Sequence, residues 1–183
     1  DSDFVDLDGD TELWRISARV GALNDVDYGE FKNDIAALRP QVDIIVASCH
    51  WGLKREPLQY MTDIAHAAID AGADIVMGHG PHYVLPIEIY KGRPIFYGLC
   101  NLVFGTGHLG LKHSGWIGML VEASCDRGKI GACSFRFVRS NEAGETNICR
   151  LADEAETLDD LAARSAKLGA ILKREGERVL VVT

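Results

Sequence analysis

The sequence has little proline, 5 in 183 residues, and no C-x-x-C pair among its 5 cysteines. It has no basic stripe and no apolar run of membrane-spanning length. Each absence excludes a class. A chain this poor in proline, with 47% hydrophobic and 25% charged residues, is neither collagen-like nor disordered. Without paired cysteine spacings there is no disulfide scaffold and no closed structural zinc site. The cysteines at 49, 100, 125, 133 and 149 are odd in number and read as reduced, which favours a cytoplasmic location. A Cys125–Cys133 disulfide is the alternative if the chain is exported. A net charge of −8 argues against nucleic acid as a partner. The start, Asp1-Ser2-Asp3-Phe4, resembles neither a signal peptide nor a basic arm, and residues 1–11 are expected to be poorly ordered. No initiator Met is present, so a fragment or a processed product is expected. What remains is an ordinary globular chain, long enough for one domain with its own core.

Patterning places the elements. Glu12 to Val20 can form a strand. Asp27 can cap a helix reaching Arg39, with Phe31, Ile35 and Leu38 on its apolar face and Pro40 at its end. Val42 to Ser48 is a short β-branched run, the mark of a buried strand. Leu58 to Ala71 predicts a helix. Met61, Ala65 and Ala68 share its inner face, His66 and Asp70 its solvated one, and Gly72 caps it. Asp74 to Met77 is a second buried strand, so this stretch reads as a parallel βαβ unit. Lys91-Gly92-Arg93 and Asp126-Arg127-Gly128 each sit between strand-like runs and predict hairpins. Residues 105–115 form a glycine-rich loop. Thr157 predicts a last helix with Leu158, Leu161, Ser165, Leu168 and Leu172 inward, Lys173 and Arg174 at its end and Gly176 as its stop. Arg178 to Val182 can form a terminal strand. The class is α/β with mixed parallel and antiparallel strands, better suited to a layered fold than to a doubly wound sheet.

Three histidines gather on the βαβ unit. His50 is placed just past the first strand, His79 and His82 just past the second. Neighbouring parallel strands lie about 4.8 Å apart, so the imidazoles can converge at the carboxyl ends, where α/β sheets place ligands. Imidazole suits Zn, Mn or Fe, and an open metal site fits better than a closed one. Asp43 and Asp74 lie at the wrong ends of their strands to contribute.

Taken together, Ser48-Cys49-His50-Trp51-Gly52, Ala67-Ala68-Ile69-Asp70-Ala71-Gly72-Ala73-Asp74, Gly78-His79-Gly80-Pro81-His82, Pro86-Ile87-Glu88-Ile89-Tyr90 and Pro94-Ile95-Phe96-Tyr97-Gly98-Leu99-Cys100-Asn101-Leu102-Val103-Phe104 resemble the CapA-like family. That family is named for a poly-γ-glutamate capsule biosynthesis protein and belongs to the calcineurin-like metallophosphoesterase superfamily. The dense resemblance runs over about residues 42 to 104. It implies a layered α/β/β/α sandwich, here its C-terminal portion, within a single domain over 1–183. It implies His50, His79 and His82 as ligands of one or two divalent ions, with Mn, Zn, Fe and Ca not distinguished. His50, His82 and Asn101 become candidate catalytic groups; Asn101 can equally cap the turn after its strand.

The sequence departs from the family pattern in places. Gly80 replaces the middle histidine of G-H-H-P-H. Gly98 and Cys100 flank Leu99 where Ser and Gly are usual, and Cys100 is either reactive or a buried thiol. Lys54 and Arg55 follow His-Trp-Gly where an acidic residue is common; they are either substrate-binding charge at the site mouth or a solvated pair. The early Asp and the Asn-His-Asp motif of the family's first half are missing, so a missing N-terminal half or a partner segment is expected to complete the metal site. That part would also carry any export signal or membrane anchor.

The resemblance implies a metal-dependent enzyme acting on a peptide, amide or polyglutamate-type substrate. One alternative is a metal-dependent peptide Cα epimerase acting on a ribosomal peptide. Another is a non-catalytic metal-binding subunit of capsule polymer assembly. Trp51 and Trp116 either line a substrate pocket or pack in the core. His108 and His113 are either acid/base groups on a loop beside the site or surface residues.

Overall fold

The computed structural model describes residues 27–52, 54–103, 116–126 and 128–182. The strand expected at Glu12 to Val20, the acidic lead-in, the glycine-rich loop, His108 and His113 lie outside the described residues.

Helix α1 (Asp27–Leu38) buries Phe31 and Ile35, with Leu38 packed against them, as its spacing requires. The helix ends ahead of Pro40 as expected, and Pro40 sits in a 3-10 turn, Arg39–Gln41. There the Arg39 guanidinium donates to the carbonyls of Val42, Asp43 and Gly72 and to Asp74. Those bonds tie the helix end to the starts of the next two strands. Strand β1 (Val46–His50) begins later than the apolar run suggests, because Asp43 to Ile45 form the approach to it. Helix α2 (Gln59–Ala71) buries Met61, Ile64, Ala65, Ala68 and Ile69, and Gly72 caps it in the left-handed region. Strand β2 (Ile75–His79) then pairs parallel with β1, residue for residue from Val46 opposite Ile75 to His50 opposite His79.

Strands β3 (Ile87–Tyr90) and β4 (Arg93–Phe96) form the first predicted hairpin, and β4 joins β2 in parallel. The first sheet therefore runs β1-β2-β4-β3. The second hairpin, β5 (Gly118–Asp126) and β6 (Lys129–Ser140), opens an antiparallel sheet that also takes β7 (Thr146–Ile148).

The C-terminal expectation needs correction. Helix α3 (Ala155–Ala166) starts before Thr157, after a 3-10 turn at Leu151–Glu154, and ends well before Gly176. Leu172, Lys173 and Arg174 belong to strand β8 (Ile171–Glu175). Gly176 turns a hairpin into β9 (Arg178–Val182). The alternation in Ile171–Glu175 is short, and its Leu172 happens to extend the helical stripe of α3, so period alone misassigns it.

One core lies between α1, α2 and the first sheet, around Ala47, Cys49, Met61, Ala65, Val76 and Tyr97. A second joins the two sheets and α3, around Ile75, Phe96, Phe135, Phe137, Leu161 and Val179. Ser165 of α3 accepts the Ile87 backbone N–H at 3.0 Å, which fixes the helix on β3. The class is α/β, with a mixed sheet and an antiparallel sheet in layers, as the pattern implies.

Candidate functional site

Side chains alternate along a strand, and this alternation sorts β1. Ala47 and Cys49 enter the core beneath the helices, while Val46 packs into the core between the sheets. Ser48 and His50 share the face of Val46. On β2, Ile75 and Met77 pack between the sheets, and His79 shares their face. The two histidines are the last residues of their strands rather than the first beyond them, and the parallel register sets them side by side. Their rings meet edge to face with centroids 5.0 Å apart, and the two Nδ1 atoms lie 3.1 Å apart. The other ring nitrogen of His79, Nε2, is 3.2 Å from Ser48 Oγ. Burial, with a contribution from His50, lowers the pKa of His79. Both effects favour the neutral form of the His79 ring.

The turn after β2 is built around this pair. Gly80 has φ +112°, and a Cβ there would lie 2.7 Å from the Trp51 carbonyl oxygen and 3.1 Å from His50 Nε2. A histidine at this position, as in the family pattern, would need another course for the turn. His82 follows at φ 57° and Cys100 at φ 60°, both in the left-handed region that a side chain disfavours by about 1 kcal/mol. Such outliers gather where the surroundings hold the backbone for a purpose. The Asn101 side-chain oxygen, Oδ1, is 2.7 Å from His82 Nδ1, so Nδ1 donates to it. The Asn101 amide nitrogen is buried and has no hydrogen-bond partner among the described residues. The His82 ring also packs edge-on against Trp116, centroids 5.4 Å apart. The histidines are therefore divided. His50 and His79 are brought together, and His82 is held by Asn101 and Trp116.

The remaining candidates separate cleanly. Trp51 is buried, packs against Tyr97 and donates its indole N–H to the Tyr97 carbonyl at 2.9 Å. It lies in the core beneath the site. Trp116 is buried as well. Arg55 lies over the Tyr83 ring, 4.8 Å from its centroid, which keeps one positive charge beside the residue that follows His82. Lys54 is exposed. Burial pushes the Cys100 thiol up to about 11, so it stays protonated near neutral pH.

His66 is not solvated as its helix face suggests. It stacks on Tyr90 at 3.7 Å and pairs with Glu88 at 2.8 Å. Sequence reasoning assigned no role to Ser48 or Tyr83. Ser48 was within reach, since it precedes His50 by two residues on one strand. Gly98, which replaces the usual Ser, is explained by space: a Cβ would lie 2.7 Å from Leu85 Cγ and 2.8 Å from the Tyr83 carbonyl oxygen.

The donor set decides how far a metal fits. Two imidazole nitrogens 3.1 Å apart with facing lone pairs would repel, so the arrangement requires a proton on one of them or a cation shared by both. Two ligands of one tetrahedral ion with Zn–N of about 2.0–2.1 Å stand about 3.3 Å apart. The His50–His79 pair therefore fits as two ligands. Catalytic sites of this kind take three protein ligands. Among the described residues no group of three His, Cys, Asp or Glu side chains is close enough to hold an ion. No described helix is long and apolar enough to cross a membrane.

Comparison with known proteins adds the rest. The family model described as bacterial capsule synthesis protein PGA_cap matches residues 5–106. PGA biosynthesis protein CapA of Bacillus subtilis (strain 168) is 44% identical over 75 residues, 40% of this chain and 20% of that protein. Capsule biosynthesis protein CapA of Bacillus anthracis is 40% identical over 74 residues, 39% of this chain and 18% of that protein. A probable polyglutamine synthesis accessory protein of Mycobacterium tuberculosis (strain CDC 1551 / Oshkosh) is 46% identical over 91 residues, 46% of this chain and 24% of that protein. The matched part of the chain thus spans about a quarter or less of the length of these relatives.

Proposed function

The chain belongs to the bacterial capsule synthesis protein PGA_cap family, and from that membership we propose that it carries the histidine edge of a metal-dependent centre acting on a peptide, amide or polyglutamate-type substrate. The names of its relatives, PGA biosynthesis and polyglutamine synthesis accessory proteins, support the substrate class. The observation that carries the reading is the 3.1 Å approach of His50 Nδ1 and His79 Nδ1 at the registered ends of two parallel strands. In this proposal His50 and His79 hold the ion, and His82, expected as a third ligand, serves instead as an acid/base group. Groups outside the described residues, or from a partner segment, complete the ligand set. One or two divalent ions are compatible with imidazole donors. A bound ion supplies Lewis-acid polarisation of a carbonyl oxygen or a water of lowered pKa.

The chain's own residues supply the rest. Burial lowers the His79 pKa, in the direction of the neutral form that ligation requires. Ser48 steadies that ring through Nε2. Asn101 holds His82 with its proton on Nδ1, so Nε2 takes a proton from water as that oxygen bonds the carbonyl carbon. The same nitrogen returns the proton to the amine as the C–N bond breaks. Arg55, held on Tyr83, offers its charge to a substrate carboxylate.

That charge also favours a second reading, epimerisation at a Cα next to a carboxylate. There a proton leaves one face of the carbon and another arrives on the opposite face. Elemental analysis of the purified chain beside a His50→Ala/His79→Ala double variant tests the centre. Near-stoichiometric metal in the parent and its loss in the variant are expected; equal metal in both would refute the assignment. Incubation with γ-linked glutamate peptides in deuterated water then separates the reactions. Hydrolysis yields shorter peptides, whereas epimerisation yields deuterium at Cα with the length unchanged.

A further inference from the structure

The opposite end of the first sheet carries a second site, which no part of the proposed centre uses. A cavity of about 500 Å³ opens there between the approach to β2, the β3–β4 turn and the β5–β6 turn. That volume lies within the range of small-molecule sites. Asp74 and His79 are five residues apart on one extended strand, so the two sites are separated by about 17 Å.

Among the described residues, five charged side chains face the cavity: Arg39, Arg93, Lys129, Asp43 and Asp74. They do not balance. The Asp74 side chain is only 5% exposed and pairs with both arginines, while also accepting the Ile45 backbone N–H at 2.8 Å. The Arg39 guanidinium is consumed by Asp74 and three backbone carbonyls. Arg93 gives Asp74 a single nitrogen, Nη1, and its side chain is 43% exposed. Lys129 is exposed and pairs with no carboxylate among the described residues. Three cations thus meet two carboxylates, one of them buried and already saturated. This local excess of positive charge stands in a chain whose net charge is −8. Ile69, Pro94 and Ile130 supply an apolar wall beside it.

We infer that this cavity binds an organic carboxylate. The anionic head lies between Arg93 and Lys129, and a short carbon stem lies on Ile69, Pro94 and Ile130. A guanidinium matches the two oxygens of a carboxylate, and the ammonium adds a charge-assisted bond. The apolar wall and the volume favour an organic anion over a bare inorganic one.

The test is calorimetric titration of the full chain, freed of metal, with glutarate and separately with inorganic phosphate. Glutarate is expected to bind, with phosphate weaker. Lys129→Gln, an exposed change that spares the fold, is expected to raise the glutarate Kd about tenfold, the size of one charge-assisted contact. Arg93→Gln should raise it by at least as much, with circular dichroism confirming that the variant is folded. His50→Ala should leave it unchanged, which separates this site from the histidine edge. Absence of glutarate binding, a Kd indifferent to Lys129→Gln, or equal binding of phosphate would overturn the inference.

Discussion

The two ends of the first sheet handle polar groups in opposite ways. At the amino end, the buried Asp74 carboxylate is met by two guanidiniums and a backbone N–H. At the carboxyl end, two imidazole nitrogens face each other at 3.1 Å, and Asn101 buries an amide nitrogen without a partner among the described residues. Two residues at that end also hold left-handed backbone. A carboxylate answered on every side contributes to folding. The imidazole pair is answered only by its own cross-strand contact and by Ser48 among the described residues, and the left-handed backbone of His82 and Cys100 lies at the same end. The five-residue strand β2 begins directly after Asp74 and ends at His79, so one element links the two ends.

The sharpest way to break this comparison is at the amino end. Asp74→Ala would leave two guanidiniums without their buried counter-charge and the Ile45 N–H without an acceptor. Removing one partner of a buried pair costs about 3–5 kcal/mol. Because Arg39 and Arg93 are partly exposed and can rehydrate, the lower part of that range is expected, read as a fall in the urea midpoint. Gly78→Ala comes next, and it tests the core that carries the carboxyl end. A Cβ there would lie 2.4 Å from both Trp51 Nε1 and the Tyr97 carbonyl oxygen. Neither can withdraw, since they are bonded to each other at 2.9 Å. Overpacking of this kind costs about 2–3 kcal/mol and should redden the Trp51 emission as the indole is displaced.

Legibility in the sequence follows the same division. The βαβ unit was readable because its strands are short β-branched runs and α2 keeps a clean apolar face; the convergence of His50 and His79 followed from the parallel pairing alone. The same placement included His82, which the structure holds apart from the pair, and the family motifs over about residues 42 to 104 added Asn101, which no periodicity indicates. What could not be read was contact across the fold. Arg39, at a helix end, gives no sign that it bonds Asp74, 35 residues on. His66 looked solvated because Glu88 and Tyr90 reach it from another element. The end of α3 was missed because Leu172 continues a helical spacing while Gly169, at φ +81°, has already turned the chain.

A smaller effect sharpens the contrast away from the first sheet. Glu154 is nearly buried and takes two bonds from Arg139, at 2.6 and 2.9 Å, pinning the turn before α3 to β6. The Arg139 guanidinium lowers its pKa. A depressed carboxylate pKa contributes stability above the unfolded value of about 4.3, and that stability is lost as pH falls through the folded value. Acid titration of the urea midpoint should therefore drop below about pH 4, and Glu154→Gln should flatten that drop. The variant itself should lose about 1–2 kcal/mol near pH 7, since glutamine keeps part of the geometry without the charge.

The smallest expected change in stability is the most informative. His50 is exposed, and among the described residues its ring meets His79 across the strand ends. His50→Ala should therefore alter stability by less than about 0.5 kcal/mol, as exposed substitutions do. If the carboxyl end exists for binding, the same variant should lose metal affinity by 10-fold or more, because one of two facing ligands is gone. The pairing of a large binding loss with an unchanged urea midpoint is what separates this end from Asp74. If His50→Ala instead destabilises the fold as Asp74→Ala does, the imidazole pair is a structural clasp, and the difference between the two ends of the sheet disappears.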